Sequence, residues 1–282
     1  VRHLLDCGDE ICQPDSHVDI RDAAALRSSV MESEPEAIYH LAAIADVGLS
    51  WREPEEGIRG NTLGTWHLLE AASYMSHKPR VLIVGSAEVY GKVRPDQLPV
   101  DESAPLRPVT PYAASKAASE MLGIQAWLGW GVPTLLARPF NHFGPGQSDA
   151  FVVGALSRRI VEAMRRSEHE IPIGNLSARR DFTDVRDVVR AYRGLVTHGA
   201  PGEAYNVCSG RDVSVRELAE RMLAIASADL SLVVDDSLLR PVDVPVVRGD
   251  YRKVAKETGW APEIALEDTL QSVIESVLAE QG

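Results

Sequence analysis

The sequence predicts an α/β chain built on a doubly wound parallel sheet, on three observations. Apolar runs and helical patterns alternate along the first half of the chain, the rhythm of strand–helix–strand units. The runs at 37–42, 80–86 and 133–137 are almost continuously apolar, which suits strands covered on both faces. The length of 282 residues, at about 150 per domain, gives room for two lobes or one large α/β domain.

Taken in order, Leu4-Leu5 before Gly8 reads as the last turns of a helix with a glycine stop. Glu10-Ile11-Cys12 reads as the start of a strand. The chain has no initiator Met and no signal peptide, and a chain that opens inside a helix is expected to lack its beginning. Helical spacing covers 19–32, a short strand 37–42, and a long amphipathic helix 61–75, stopped by Pro79. Residues 80–86 form the clearest strand. Thr110 as N-cap and Pro111 at the first helical position open a helix running to about 128. Beyond Arg138 the rhythm loosens. Residues 141–148, rich in Gly and Pro, read as a loop; helices are expected at 151–166, 185–196, 215–226, 252–257 and 266–280, and strands at 171–174, 204–207 and 232–234. There are no internal repeats and no low-complexity tract. A smaller C-terminal lobe interleaved with the first is the arrangement expected.

The net charge of 29 − 41 = −12 argues against a protein whose main task is to grip nucleic acid. No uncharged apolar run approaches the roughly 18 residues of a membrane helix, so no membrane partner is expected. Three cysteines, Cys7, Cys12 and Cys208, are too few for a disulfide framework or a four-thiolate zinc site. No metal and a reducing cytoplasm are the expectations.

Tyr-x-x-x-Lys places a phenol and an ammonium one turn apart on one helix face. The lysine charge stabilises the phenolate and is expected to lower the tyrosine pKa from about 10, preparing it for proton transfer. The pattern occurs twice. Tyr74/Lys78 sits at a frayed helix end before Pro79 and reads as surface. Tyr112/Lys116 sits in the first turns of a capped helix that follows the strand ending at Ser86. Ligands in open parallel sheets bind at the carboxyl ends of strands, so the second pair is the better placed. Ser86, in Gly85-Ser86-Ala87-Glu88-Val89-Tyr90-Gly91, could polarise a carbonyl that the tyrosine protonates; by itself it reads as a turn serine, and its pairing with Tyr112 and Lys116 reverses that.

His40-Leu41-Ala42-Ala43, Ser86-x-Glu88-Val89-Tyr90-Gly91, Pro111-Tyr112-x-x-x-Lys116, the run Arg138 to Gln147, Arg180-Asp181-Phe182 and Tyr205 to Gly210 together resemble the extended short-chain dehydrogenase/reductases that act on nucleotide-activated sugars. The matches run in order from about 19 to 260. Within that family the Asn141–Gln147 segment, Gly174-Asn175-Leu176 before Arg179-Arg180, and Asn206 to Gly210 are most similar to the reductases of GDP-linked 4-keto-6-deoxy-mannose, which make GDP-D-rhamnose.

The resemblance implies a Rossmann sheet, an NADP or NAD cofactor, a GDP-linked 4-keto-6-deoxy sugar as substrate, and a homodimer paired through the Tyr112 helix and the helix at 61–75. Residues 1–140 with about 183–207 would be the dinucleotide-binding domain; about 141–182 and 208–282 would hold the nucleotide sugar. Tyr112 would protonate the sugar oxygen, Lys116 would lower its pKa and bond the cofactor ribose, and Ser86 would hold the keto oxygen. Glu88 matches an acid/base or sugar-hydroxyl position, with an exposed turn carboxylate as the other reading. Asp19, Ile20, Leu41, Ala42, Ala43 and Pro139 would join Tyr112 and Lys116 around the cofactor, with Asp15 a weaker candidate near the ribose. Asn141 would fix the sugar, and Arg180 and Arg240 its diphosphate, guanidinium forks being suited to phosphate. Arg179 is expected to be solvated, His142 to pack or cap its loop, and Asp184 to cap a helix.

The sequence departs from the family in two places. The Gly-x-x-Gly-x-x-Gly turn that receives the dinucleotide pyrophosphate does not occur in the 282 residues, so the first strand and glycine turn are expected to be missing. Dehydratases of the dTDP-glucose type carry Thr-Asp-Glu where this chain has Ser86-Ala87-Glu88; Ala87 cannot supply the acid for a leaving hydroxyl. GDP-mannose dehydratases do not use that aspartate, and the 141–147 segment argues against them instead. A 4-epimerase, a 4,6-dehydratase or a non-catalytic nucleotide-sugar-binding relative are the rival readings. NADPH and NADH, and the rhamnose and talose configurations at C4, are left open.

Overall fold

The computed structural model describes residues 1–14, 18–239 and 244–280. Helix α1 (Arg2–Asp6) ends at Cys7, and Gly8 takes φ 84°, as the glycine stop requires. Residues 9–14 form no strand: among the described residues none lies alongside to complete a ladder, and a strand exists only where its backbone groups find partners. Helix α2 (Ala23–Ser33) begins later than its spacing predicts, because Asp22 caps it by accepting from the amides of Ala24 and Ala25. Strand β1 (Ala37–His40) follows, then two short helices the sequence did not suggest, α3 (Val47–Arg52) and α4 (Pro54–Gly57).

The single helix expected over 61–75 is a π-helical stretch, Ile58–Leu63, continued by α5 (Gly64–Ser73). Side chains account for the wide turn. Thr65 and Ser119 both donate to the Asn61 carbonyl, and side-chain intrusion into the i→i−4 ladder is a recognised cause of such distortion. Strand β2 (Arg80–Val84) leads through a 3-10 turn, Ala87–Tyr90, to α6 (Pro111–Trp130), where Thr110 accepts from the Ala113 amide at 3.0 Å. Gly131, at φ 69°, ends the helix, and β3 (Thr134–Pro139) completes the first half.

The second half contains β4 (Asn141–Phe143), α7 (Val152–Arg166), β5 (Glu170–Ile173), β6 (Arg179–Asp184), α8 (Val185–His198), β7 (Ala204–Val207), β8 (Asp212–Ser214), α9 (Val215–Ala226), β9 (Ser231–Val234), β10 (Val246–Val247), α10 (Arg252–Thr258) and α11 (Leu266–Glu280). All five helices expected there are present within two residues. The 141–148 segment is not wholly loop, since β4 pairs in parallel with β6. Strands β6 and β8 escaped the pattern because charged residues such as Arg179, Arg180 and Asp212 stand where apolar alternation was sought, and β10 because it is only two residues long.

Strands β1, β2, β3 and β7 form one parallel sheet in that order, with Ile38 beside Val81 and Val81 beside Thr134. The sheet is covered on both faces. Val81, Ile83 and Leu136 pack with Leu26 and Val30 of α2 and Leu68 and Leu69 of α5. The alternate residues Leu82, Leu135 and Ala137 pack with Val188 and Leu195 of α8 and Val254 of α10. A separate core under β4, β5 and β6 joins Phe143 of β4 to Ile160, Leu218 and Ile274 of α7, α9 and α11. Between them Phe140 packs with Ala87, Val89, Tyr90, Val100 and Cys208.

The 3-10 turn after β2 is closed by Gly91. Its φ is 62°, and a Cβ there would stand 1.9 Å from the Arg107 carbonyl oxygen, while the Arg107 amide donates to Val89 at 2.8 Å. This locks the turn to the strand of chain entering α6. Gly91→Ala combines left-handed strain with a backbone clash and is expected to cost about 2–4 kcal/mol. Urea unfolding at neutral pH checks this: the midpoint falls with an unchanged slope.

Candidate functional site

The site is built at the carboxyl edge of the parallel sheet. Past Val84 the chain continues through Gly85, whose amide donates to Ala137 at 2.8 Å, to Ser86, whose Oγ accepts from the Glu88 amide at 3.2 Å. On the other side, the first turn of α6 presents Tyr112 and then Lys116. The Ser86 hydroxyl faces the Tyr112 phenol, and the Glu88 carboxylate lies within electrostatic reach. Thr110 Oγ1 donates to Glu88 Oε2 at 3.3 Å, so the residue that caps α6 also holds the turn carboxylate. Ser86, Glu88, Tyr112 and Lys116 are therefore brought together as expected.

Their electrostatics differ from expectation. Burial pushes the Tyr112 phenol up to about 12, with Ser86 pulling against it and Glu88 adding to it. The expected lowering by Lys116 is absent because the Lys116 Nζ donates to the Val84 carbonyl at 2.7 Å and desolvation dominates. Burial pulls Lys116 itself down to about 8, against the attraction of Glu120. Burial and the Lys116 charge hold His40 at about 3, so it is neutral, its Nε2 2.9 Å from Thr65 Oγ1.

The residues expected around a dinucleotide divide into two groups. Leu41, Ala42 and Ala43 are exposed just past the end of β1, and Pro139 is buried at the end of β3, so both flank the Ser86–Tyr112 edge. Ile20 packs on α5, where a Cβ at Gly64 would meet it at 2.9 Å. Asp19 is gripped by Arg21 through contacts of 2.6–3.0 Å, and that guanidinium holds its carboxyl at about 2. A shallow depression lined by Asp19, Arg21, Asp22, Arg59 and Leu63 lies beside them. A nicotinamide ribose fits the first group: Lys116 has three N–H donors, of which one is committed to Val84. The pyrophosphate cradle has no counterpart in this sequence.

On the substrate side, Asn141 in β4 lies opposite Phe182 in β6, two residues beyond Arg180. Asn141 is exposed and Arg180 half-buried, with the Arg180 Nη1 donating to the carbonyls of Arg179 and Val244. Arg240 and Asp15 lie outside the described residues. Arg179 keeps 37% of its side chain exposed and is also ion-paired: it bonds Asp212 at 2.5 Å and pairs with Glu217 at 3.3 Å, because β8 and the start of α9 bring those carboxylates against β6. His142 holds its loop through Nδ1, 3.0 Å from the Phe140 carbonyl oxygen. Asp184 caps α8 by accepting from the Arg186 amide. Tyr74 is exposed over Arg27, and Lys78 donates to the Trp130 carbonyl, consistent with a surface helix end.

Sequence reasoning missed the charged framework under the site. Arg138 is bound to the fully buried Glu120 by bonds of 2.9–3.2 Å, and it also donates to Tyr90 at 2.9 Å. Tyr90 donates to Asn206 at 2.7 Å, whose amide donates to Glu102 at 2.7 Å. Asp181 is a second hub, accepting from the amides of Ser209, Gly210 and Gly249 and from the Ser209 hydroxyl. Glu120 stands four residues after Lys116 on α6, a spacing that shares a helix face, and that signal was available. Tyr192 on α8 is buried within reach of Tyr112, its hydroxyl without a hydrogen-bond partner.

The family model described as GDP-mannose 4,6 dehydratase matches residues 15–273. The chain belongs to that family. It is 38% identical over 241 residues to the GDP-6-deoxy-D-mannose reductase of Pseudomonas aeruginosa, covering 85% of this chain and 79% of the relative. A Vibrio cholerae GDP-mannose 4,6-dehydratase is 27% identical, covering 93% of this chain and 78% of the relative. Among solved structures, RMD from Pseudomonas aeruginosa complexed with NADPH superposes with a TM-score of 0.91 at 34% identity, covering 99% and 95% of the two chains. A UDP-glucose 4-epimerase from Thermotoga maritima with UDP-glucose gives 0.90 at 26%, covering 100% and 94%. Family membership and the doubly wound Rossmann architecture agree with the reading from sequence.

Removing one partner of a buried ion pair leaves an uncompensated charge. Arg138→Met is expected to cost about 3–5 kcal/mol at pH 7, read by urea unfolding. Glu120, already raised by burial and lowered by Arg138, rises further without that guanidinium. A carboxyl with a folded pKa above its unfolded value binds its proton more tightly in the native state, so stability is highest at low pH. The deficit of the variant therefore shrinks as pH falls toward the ordinary carboxyl value of 4.5.

Proposed function

We propose that this member of the family is an NAD(P)H-dependent reductase of the C4 keto group of GDP-4-keto-6-deoxy-D-mannose, giving GDP-D-rhamnose. The chain is an NAD(P)-dependent nucleotide-sugar oxidoreductase; the particular sugar and the direction of reaction are the proposal. The observation that carries it is the Ser86–Tyr112 juxtaposition with the phenol held at about 12. At neutral pH such a phenol is protonated, which is the form a reduction needs: it carries the proton that the sugar oxygen must receive. The buried Ala87 leaves the turn without a second acid beside Glu88.

A bound NAD(P)H supplies the hydride. Lys116, Leu41–Ala43 and Pro139 would hold its nicotinamide end, with Asp19 and Ile20 toward the adenine. Ser86 donates to the keto oxygen, sharing the charge that develops there. Tyr112 gives that oxygen its proton and recovers one from solvent, while Lys116 would bond the cofactor ribose. Glu88 receives a sugar hydroxyl, Asn141 fixes the sugar, and Arg180 with Arg240 takes the diphosphate. The Rossmann part is residues 1–140 with about 183–207, and the remainder holds the nucleotide sugar. We also place the enzyme in the cytoplasm; among the described residues no helix is long and apolar enough to cross a membrane. Pairing of two copies through α5 and α6 is supported by Met121 and Leu128, exposed at 49% and 77% on α6. Cross-linking at micromolar concentration should yield dimer; monomer alone would refute the pairing.

A 4,6-dehydratase acting on GDP-mannose is the second reading, favoured by the matched family model and the Vibrio relative. Net oxidation of NADPH, one per sugar, is expected of the reductase, and none of the dehydratase, which recycles its nicotinamide. Tyr112→Phe should lower kcat about a hundred- to ten-thousand-fold with little change in GDP binding. In a thermal-shift comparison, GDP should raise Tm where dTDP and UDP do not, as native-state binding requires; a dTDP or UDP preference would overturn the substrate assignment.

A further inference from the structure

Helix α6 carries a second charged residue toward the reacting edge. Lys116 and Glu120 are one turn apart and both buried. The Lys116 Nζ donates to the Val84 carbonyl at 2.7 Å. The Glu120 carboxylate lies over the next residue: a Cβ at Gly85 would stand 2.6 Å from Glu120 Oε1. Ammonium and carboxylate thus meet adjacent residues at the end of β2. Arg138 from β3 holds the carboxylate from behind with three bonds, so its orientation is not free.

We propose that Glu120, clamped by Arg138, is a positioning residue of the reaction: it keeps charged the Lys116 ammonium that the Val84 carbonyl orients. This rests on the reading of Tyr112 and Lys116 as the working pair. A lysine so buried loses its proton readily unless an opposite charge is near. The other groups around it do not supply one. His40 from β1 is neutral, Tyr112 on α6 is a protonated phenol, and Glu88 is reached from the turn on the far side of Tyr112. Arg138 carries the same sign as the lysine. Glu120 is the carboxylate that favours the ammonium. Gly85 then has a reason beyond its backbone: any side chain there would displace the carboxylate.

The test is a pH titration of the Lys116 Cε signal by NMR on the full chain labelled with carbon-13 lysine, with Lys116→Arg to assign it. Neither cofactor nor sugar nucleotide enters the measurement, so its failure and a failed turnover assay speak to different statements. Glu120→Gln should move the Lys116 midpoint down by about one pH unit, and Glu120→Asp should restore most of it. A purely structural Glu120 would lower Tm and leave the midpoint in place. Should Glu120→Gln not fold with Arg138 unpaired, the double variant Glu120→Gln/Arg138→Gln removes both buried charges, and its midpoint should still fall, by less. An unchanged midpoint in the folded variant overturns the proposal.

Discussion

The buried pair of Arg138 and Glu120 is the interaction on which the site depends. It joins the third strand of the parallel sheet to the helix that carries Tyr112 and Lys116, and so sets how deep that helix lies on the sheet. Charges taken this far from water are stable only when their remaining hydrogen-bonding capacity is met. Here the Arg138 guanidinium also reaches Tyr90 and the Glu102 carbonyl, and Tyr90 continues to Asn206. The polar network therefore spans β3, α6, the turn after β2 and β7. A displacement of any one of these would leave a buried group unpaired, which is why the carboxyl edge holds its shape.

Much of the parallel sheet was legible because β2, β3 and β7 are largely buried, and continuous apolar runs are rare elsewhere. Helix starts were legible where a cap was present: Thr110 and Asp184 do what their residue types imply, and Asp22 moved a boundary that spacing alone had placed early. In the smaller lobe β5 and β9 were legible within a residue, while β4, β6, β8 and β10 were not. Arg179, Arg180 and Asp181 show no apolar alternation, yet Asp181 is fully buried because four donors from two segments converge on it. No periodicity within one segment records a partner supplied by another.

The site itself was legible as a set of residues more than as a set of charges. Tyr-x-x-x-Lys occurs twice, and it was the position of Tyr112/Lys116 after the strand ending at Ser86 that set it apart from Tyr74/Lys78. It did not reveal that burial would outweigh the lysine in setting the state of the phenol. Desolvation is a property of everything packed around a group, and a two-residue motif carries only its own members. Arg179 teaches the same lesson: its exposure was legible, and the two carboxylates that β8 and α9 bring to it were not.

The passage from β3 to β4 is a single residue long. Pro139 ends one sheet, Asn141 begins the strand that joins the other, and Phe140 between them is buried at 3% exposure. Such a joint has no slack. A hinge needs a few residues free to change φ and ψ, and here the only candidate is wedged into the cluster under the catalytic turn. The turn proposed to carry the chemistry and the strand proposed to meet the sugar are thereby one rigid piece at this seam.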